Sequence, residues 1–159
     1  SMVVSLDCGD PNNVHPTNKK PIGERLALQA LTYVGYQNSD YNHFRVSRSC
    51  GPEPYKEYCY GNEAVVAFRY GDGLHTSDGK PLTAFEVADA DEVFYPATAT
   101  ITDNKVIVKS DKVKQIYTVR YAYQPYNHAN LVNAQNLPAP TFVRTVSTVS
   151  IKVWEANKP

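Results

Sequence analysis

Two hydrophobic patterns of different period divide the chain. Between Lys19 and Val34 the apolar residues recur with helical spacing. Ile22, Leu26 and Ala30 fall at i, i+4 and i+8, and Leu28, Leu31 and Val34 broaden the stripe. This pattern predicts a helix. Thr17 or Asn18 can cap its start, Pro21 is tolerated in the first turn because its missing N–H would have no intrahelical acceptor, and Gly35 sits where a left-handed residue closes a last turn. Ahead of it, Val3-Val4-Ser5-Leu6 reads as the tail of a buried strand, followed by a polar loop from Asp7 to Pro16. One strand and one helix cannot bury both of their faces. The unit is therefore expected to belong to a layered α/β domain with a parallel sheet.

Past about residue 38 the period shortens to two. Glu63 to Tyr70 is the clearest segment, with Val66, Phe68 and Tyr70 on one face and Val65, Ala67 and Arg69 on the other. Gly71-Asp72-Gly73 ends it, and Ser77-Asp78-Gly79-Lys80 reads as a turn. Ala84–Ala88, Val93–Ile101, Val106–Lys109, Ile116–Tyr123 and Phe142–Trp154 follow as strands, with a tight hairpin turn at Thr102-Asp103-Asn104-Lys105. Short strands between turn signals, without a second helical pattern, predict an antiparallel sandwich or jelly roll. The expected architecture is mainly β: residues 1–38 are the end of an α/β domain, and residues 39–159 form a β-sandwich domain. The Pro- and Asn-rich segment from Gln124 to Thr141 is expected to be a long functional or covering loop. The last stretch, through Val153-Trp154, is expected to be an edge strand.

Composition narrows the class. Acidic and basic residues balance at 16 each, and no basic stripe of the kind a nucleic-acid binder needs is visible. No apolar run approaches the ~20 residues that span a bilayer, and no basic, apolar and small-residue pattern marks a signal peptide. Ser1-Met2 reads as a cleavage remnant followed by a start methionine, so any targeting signal is expected upstream. The 12 tyrosines suit half-buried strands as well as sugar-stacking surfaces, so composition leaves both open. Cys50 and Cys59 flank Gly-Pro-Glu-Pro and are either a small-loop disulfide or two free thiols, while Cys8 is the odd one out. Three cysteines without a C-x-x-C pair make no metal framework, and no cofactor is expected.

The informative chemistry lies in Asp7-Cys8-Gly9-Asp10-Pro11-Asn12-Asn13-Val14-His15-Pro16 and the helix after it. A strand–loop–His–helix order places an imidazole at the carboxyl end of a sheet, where α/β domains build active sites. Histidine is the side chain best suited to accept and return a proton near neutrality. His43, His75 and His128 have no such neighbours and read as surface or hydrogen-bonding residues.

This stretch, with Gly23-Glu24-Arg25-Leu26-Ala27-Leu28, resembles the last catalytic block of SGNH hydrolases of the sialate O-acetylesterase family. Further motifs agree in order: Tyr70-Gly71-Asp72-Gly73-Leu74, Asp78-Gly79-Lys80-Pro81-Leu82, Phe85-Glu86-Val87-Ala88, Phe94-Tyr95-Pro96-Ala97, Val119-Arg120-Tyr121-Ala122-Tyr123 and Asn136-Leu137-Pro138-Ala139-Pro140. The resemblance runs to about Thr145. It implies that residues 1–38 are a remnant of an SGNH α/β domain and that the parent is a serine esterase removing acetyl groups from sugar hydroxyls, such as those of sialic acid. His15 matches the family's catalytic histidine. The orienting group is Asp10 or Asn12; the family's usual Asp position, three before the His, is Asn12 here. Ser5, Ser47 and Ser49 lack the setting of the family's nucleophile. The resemblance thus implies an N-terminal SGNH segment carrying the serine as partner, an O-acetylated sugar as substrate, inactivity of this chain alone, and a secreted, periplasmic or lysosome-like compartment. Two other readings stand beside it. In one the chain is a carbohydrate-binding module using Tyr123, Tyr126, Asn127, His128 and Asn130; in the other the β region only props the catalytic domain and shapes its pocket.

Overall fold

The strand with the clearest alternation is also the centre of the fold. In the computed structural model, which describes residues 2–37 and 49–158, β2 (Glu63–Arg69) is buried along nearly its whole length. It pairs antiparallel with β1 (Glu53–Tyr60) on one side and β7 (Lys105–Lys109) on the other. β6 (Thr98–Thr102) joins β7 through the predicted hairpin, where Asp103 takes the left-handed φ of 53°. β11 (Ser147–Thr148) lies parallel to β1 at the far edge, giving the order β11-β1-β2-β7-β6. A second antiparallel sheet has the order β10-β8-β4-β5, built from β10 (Phe142–Thr145), β8 (Thr118–Tyr121), β4 (Phe85–Ala88) and β5 (Phe94–Pro96). A two-stranded ribbon, β3 (His75–Thr76) with β9 (Leu131–Val132), completes the set.

Period-two alternation decides which residues meet. Val66 and Phe68 of β2, with Val106 and Val108 of β7, share one core with Phe85, Val87, Val119, Tyr121 and Phe142 of the second sheet. Aromatic rings knit it: Phe85 and Tyr121 lie 4.7 Å apart, Tyr121 and Phe142 5.6 Å, and Phe68 and Phe142 6.0 Å. Tyr70, placed on the strand by alternation, instead begins the turn with φ 54°. Burial pushes the Tyr121 phenol up to about 12, although its oxygen accepts a hydrogen bond from the Leu131 N–H at 3.0 Å.

Four sequence expectations change. Val3-Val4-Ser5-Leu6 forms no strand; a 3-10 turn occupies Leu6–Cys8, because no described strand lies beside this segment to complete a ladder. Val93–Ile101 is not one strand but two, β5 and β6, and these lie in different sheets with Ala97 between them. Phe142–Trp154 breaks into β10, β11 and a helix, α2 (Ile151–Asn157). The Ser150 hydroxyl accepts from the Val153 N–H and the Trp154 N–H reaches the Ser150 carbonyl at 2.9 Å, so the chain is capped into a helix there. Trp154 then packs on the outer face of the larger sheet, edge-on to Tyr58 at 6.0 Å. Lastly, Gln124–Thr141 is no simple cover: Asn130, Leu131, Val132, Asn133, Leu137 and Ala139 are buried.

Cys50 and Cys59 are both free thiols. Cys59 faces the core and donates to the Ile116 carbonyl at 3.1 Å, whereas Cys50 lies beside Gln29 of the N-terminal helix. The boundary near residue 38, His43 and Ser47 lie outside the described residues.

Candidate functional site

The predicted helix exists as α1 (Lys20–Gln37), but the face it turns toward the rest of the chain is not its apolar stripe. Arg25 and Thr32 are buried, while Leu26 and Leu31 are 51% and 52% exposed. The reason is a single strong pairing. Arg25 forks onto the Asp7 carboxylate, with Nη1 to Oδ1 at 2.7 Å and Nη2 to Oδ2 at 2.6 Å, and Nη1 also donates to the Val4 carbonyl at 2.7 Å. Partial burial would raise the Asp7 pKa, but the Arg25 hydrogen bonds and charge outweigh it and hold the carboxyl below its usual range. The reciprocal hydrogen bonding raises Arg25. Burial raises the neighbouring Cys8 thiol, so it is not an activated nucleophile.

From this anchor the loop runs through two Asx turns. Asp10 Oδ1 accepts from the Asn12 N–H at 2.8 Å, and Asn13 Oδ1 accepts from the His15 N–H at 2.9 Å. These turns present His15 on the surface with Val14, 90% exposed, beside it. Asp10, Asn12 and His15 therefore share one exposed loop, but no hydrogen bond joins the Asp10 carboxylate to the His15 imidazole. Ser5 is exposed just ahead of the 3-10 turn, and Ser49 is buried with its hydroxyl 4.0 Å from the Cys50 sulfur.

The long segment after β8 meets this loop. A side-chain carbon placed on Gly9 would sit 3.8 Å from the Tyr126 ring, so the ring lies over the bare backbone there. Tyr126 and His128 contact edge-on with centroids 5.5 Å apart. Buried Asn130 fixes this arrangement: its amide donates to Asp78 Oδ1 at 2.9 Å and to the Pro81 carbonyl at 3.1 Å, and its oxygen accepts from the Thr83 N–H at 3.1 Å. Asn133, fully buried, acts similarly, donating to the carbonyls of Cys50 and Tyr70 and accepting from the N–H groups of Gln135 and Leu137. Together Asp7, Gly9, Asp78, Tyr126, His128 and Asn130 border a cleft of about 180 Å³. Of the residues marked for sugar contact, Tyr123 goes elsewhere: Arg120, forked onto Glu86 at 2.9 and 3.0 Å, stacks between Tyr123 and Phe94. His75 hydrogen-bonds Asn136 Oδ1 at 3.1 Å, in keeping with its expected bonding role.

Arg25, Asn133 and Gly51 escaped sequence reasoning. A side-chain carbon on Gly51 would fall 2.1 Å from the Pro138 carbonyl oxygen, so the backbones touch where the N-terminal and C-terminal halves of the described chain meet. Asn in a Pro- and Asn-rich loop was the available signal for Asn133; Arg25 stood in the Gly23–Leu28 motif, but nothing local gave its role. Among the described residues no group of three His, Cys, Asp or Glu side chains is arranged to hold a metal ion. No helix of the described residues is long and apolar enough to cross a membrane.

No family model and no curated protein matches the chain. Among solved structures it is similar to XAC1771, described as a novel carbohydrate acetylesterase from Xanthomonas citri, with 36% identity and a TM-score of 0.75 over 87% of this chain. The match covers 31% of that protein, so the chain spans about a third of its length. The described chain has the mainly β fold of a carbohydrate-esterase-related domain.

Proposed function

We propose that the chain is the C-terminal portion of a carbohydrate O-acetylesterase of the sialate O-acetylesterase type, contributing the catalytic histidine. The observation that carries the reading is 36% identity over 87% of the chain to a carbohydrate acetylesterase. Residues 1–38 belong to an SGNH-like catalytic domain and residues 39–159 to its β-sandwich. A serine on an N-terminal SGNH segment attacks the acetyl carbonyl; His15 takes the serine proton and passes it to the departing sugar hydroxyl. Water, deprotonated by the same imidazole, then releases acetate from the acyl-serine. Asp10 or Asn12 orients the imidazole once the partner segment packs against the loop. Exposed Leu26 and Leu31 of α1, and Val14 beside His15, support such packing. Work on acetylated glycans favours a secreted, periplasmic or lysosome-like compartment; with Cys50 and Cys59 free, the substrate class is the support for it.

Acetyl release from p-nitrophenyl acetate and from an O-acetylated sugar tests this reading. The chain is assayed alone, with the N-terminal segment added, and with His15→Ala in each case. The expected result is no turnover alone and turnover on complementation that drops by roughly 10³-fold or more in His15→Ala. Turnover by the isolated chain that survives His15→Ala sinks the proposal.

A further inference from the structure

The cleft beside Gly9 has three properties that the His15 chemistry does not use. It has an aromatic wall: the Tyr126 side chain, 42% exposed, lies over Gly9 rather than in the core. It has polar groups without protein partners. Asp78 Oδ1 is occupied by the Asn130 amide and the Lys80 N–H, but Oδ2 makes no hydrogen bond among the described residues. The same holds for the His128 ring and the Tyr126 hydroxyl. Finally, the cleft is rigidly built, because Asn130 ties the Ser77–Asp78 turn to the long loop through four polar contacts of its side chain.

Its size and charge select a ligand. At about 180 Å³ it is smaller than the ~300 Å³ lower end of drug-sized pockets and takes one small ring. An aromatic face with a few aimed hydroxyl-binding groups is how a pyranose is held: ring C–H groups against the π face and hydroxyls on carboxylate and imidazole. No lysine or arginine lines the cleft. Asp78 keeps its charge, since the Asn130 amide and the Lys80 N–H hold its carboxyl below the ordinary value. A carboxylated sugar would therefore meet Asp78 without a lining cation to answer it.

We propose that this cleft is a monosaccharide subsite that holds one uncharged pyranose ring, seated on Tyr126 and hydrogen-bonded by Asp78 and His128. That the ring is a neutral sugar of the acetylated glycan, rather than a sialic acid itself, rests on the esterase reading above; that the cleft binds it does not. The subsite borders the start of the loop that carries His15.

The test is saturation-transfer and chemical-shift NMR on the 159-residue chain with uncharged methyl glucoside, methyl galactoside and methyl xyloside, and with N-acetylneuraminic acid. At least one uncharged glycoside should bind, with affinity falling roughly fivefold or more in both Tyr126→Ala and His128→Gln, and N-acetylneuraminic acid should not compete. Trp154 emission, from the other side of the fold, verifies that each variant is folded. No binding of any uncharged glycoside by the folded chain overturns the proposal, as does binding that both variants leave unchanged or tighter binding of the carboxylated sugar. Because the readout involves no ester cleavage, binding without His15-dependent esterase activity would defeat only the esterase reading. Activity without binding would defeat only the subsite.

Discussion

Asp7, which borders the cleft, and Arg25 behind it do most to anchor the candidate site. The guanidinium is nearly buried, with 9% of its side chain exposed, and it holds Asp7 and the Val4 carbonyl at once. Removing the carboxylate in Asp7→Asn leaves that charge poorly answered, at a cost of about 1–3 kcal/mol. The 40% exposure of Asp7 screens the pair and keeps the loss below that of a fully buried one. The pH dependence has a definite sign. Because the folded-state pKa of Asp7 lies below its ordinary value of 3.8, the pair contributes full stability above that value and loses it as pH falls through the lower folded-state value. Urea denaturation over a pH series should show wild type and Asp7→Asn well separated at neutral pH and converging in acid. A separation that persists unchanged below pH 3.8 would assign the effect to packing.

At the scale of elements, α2 shows how a cap overrides alternation. Val149, Ile151 and Val153 alternate as a strand would, yet Ile151 and Val153 end 44% and 46% exposed. A helix of seven residues has little stability of its own and is held by what it docks against. Trp154, 4% exposed and set against Tyr58 and Val65, is that dock. Trp154→Ala should cost about 3 kcal/mol, the lower end for a buried aromatic because its cluster is small, and should raise amide exchange across residues 151–157. Ser150→Ala should cost about 0.5–2 kcal/mol. Since Trp154 is the one tryptophan of the chain, its emission should shift to the red at lower urea in Ser150→Ala. Unchanged emission and exchange in both variants would mean that the helix is held otherwise.

For the molecule as a whole, the exposed residues of α1 are the ones that matter. Leu26 and Leu31 contribute little to the described core, so Leu26→Glu with Leu31→Glu should change the stability of the chain by no more than about 0.5 kcal/mol each. On the proposed function the same pair should abolish complementation by the N-terminal segment, lowering recovered esterase activity roughly tenfold or more. Complementation that tolerates both charges would place the catalytic segment on another face.

Much of this protein is legible in the local pattern, because that pattern records which side chains alternate and where the chain turns. The two faces of Glu63–Arg69, the hairpin at Asp103-Asn104, the helix after Lys19 and the loop bearing Asp10 and His15 all follow from neighbours within a few residues. Tertiary contacts decided the rest. Periodicity finds an apolar stripe on α1 but cannot tell which face the described chain covers; Arg25 reaching Asp7 and Val4 chose the polar one. Alternation runs unbroken across Ala97, yet β5 pairs back with β4 and β6 forward with β7, and these lie in different sheets because β4 joins the distant β8 and β7 the distant β2. Asn130 and Asn133 look like loop residues until the backbone groups of Pro81, Cys50 and Tyr70 converge on them. Tyr126 became the wall of a cleft because folding brings the loop at Gly9, far away in sequence, against its ring. Each such choice is made by groups distant in sequence that folding brings within hydrogen-bonding or van der Waals reach, and a local pattern carries no record of them.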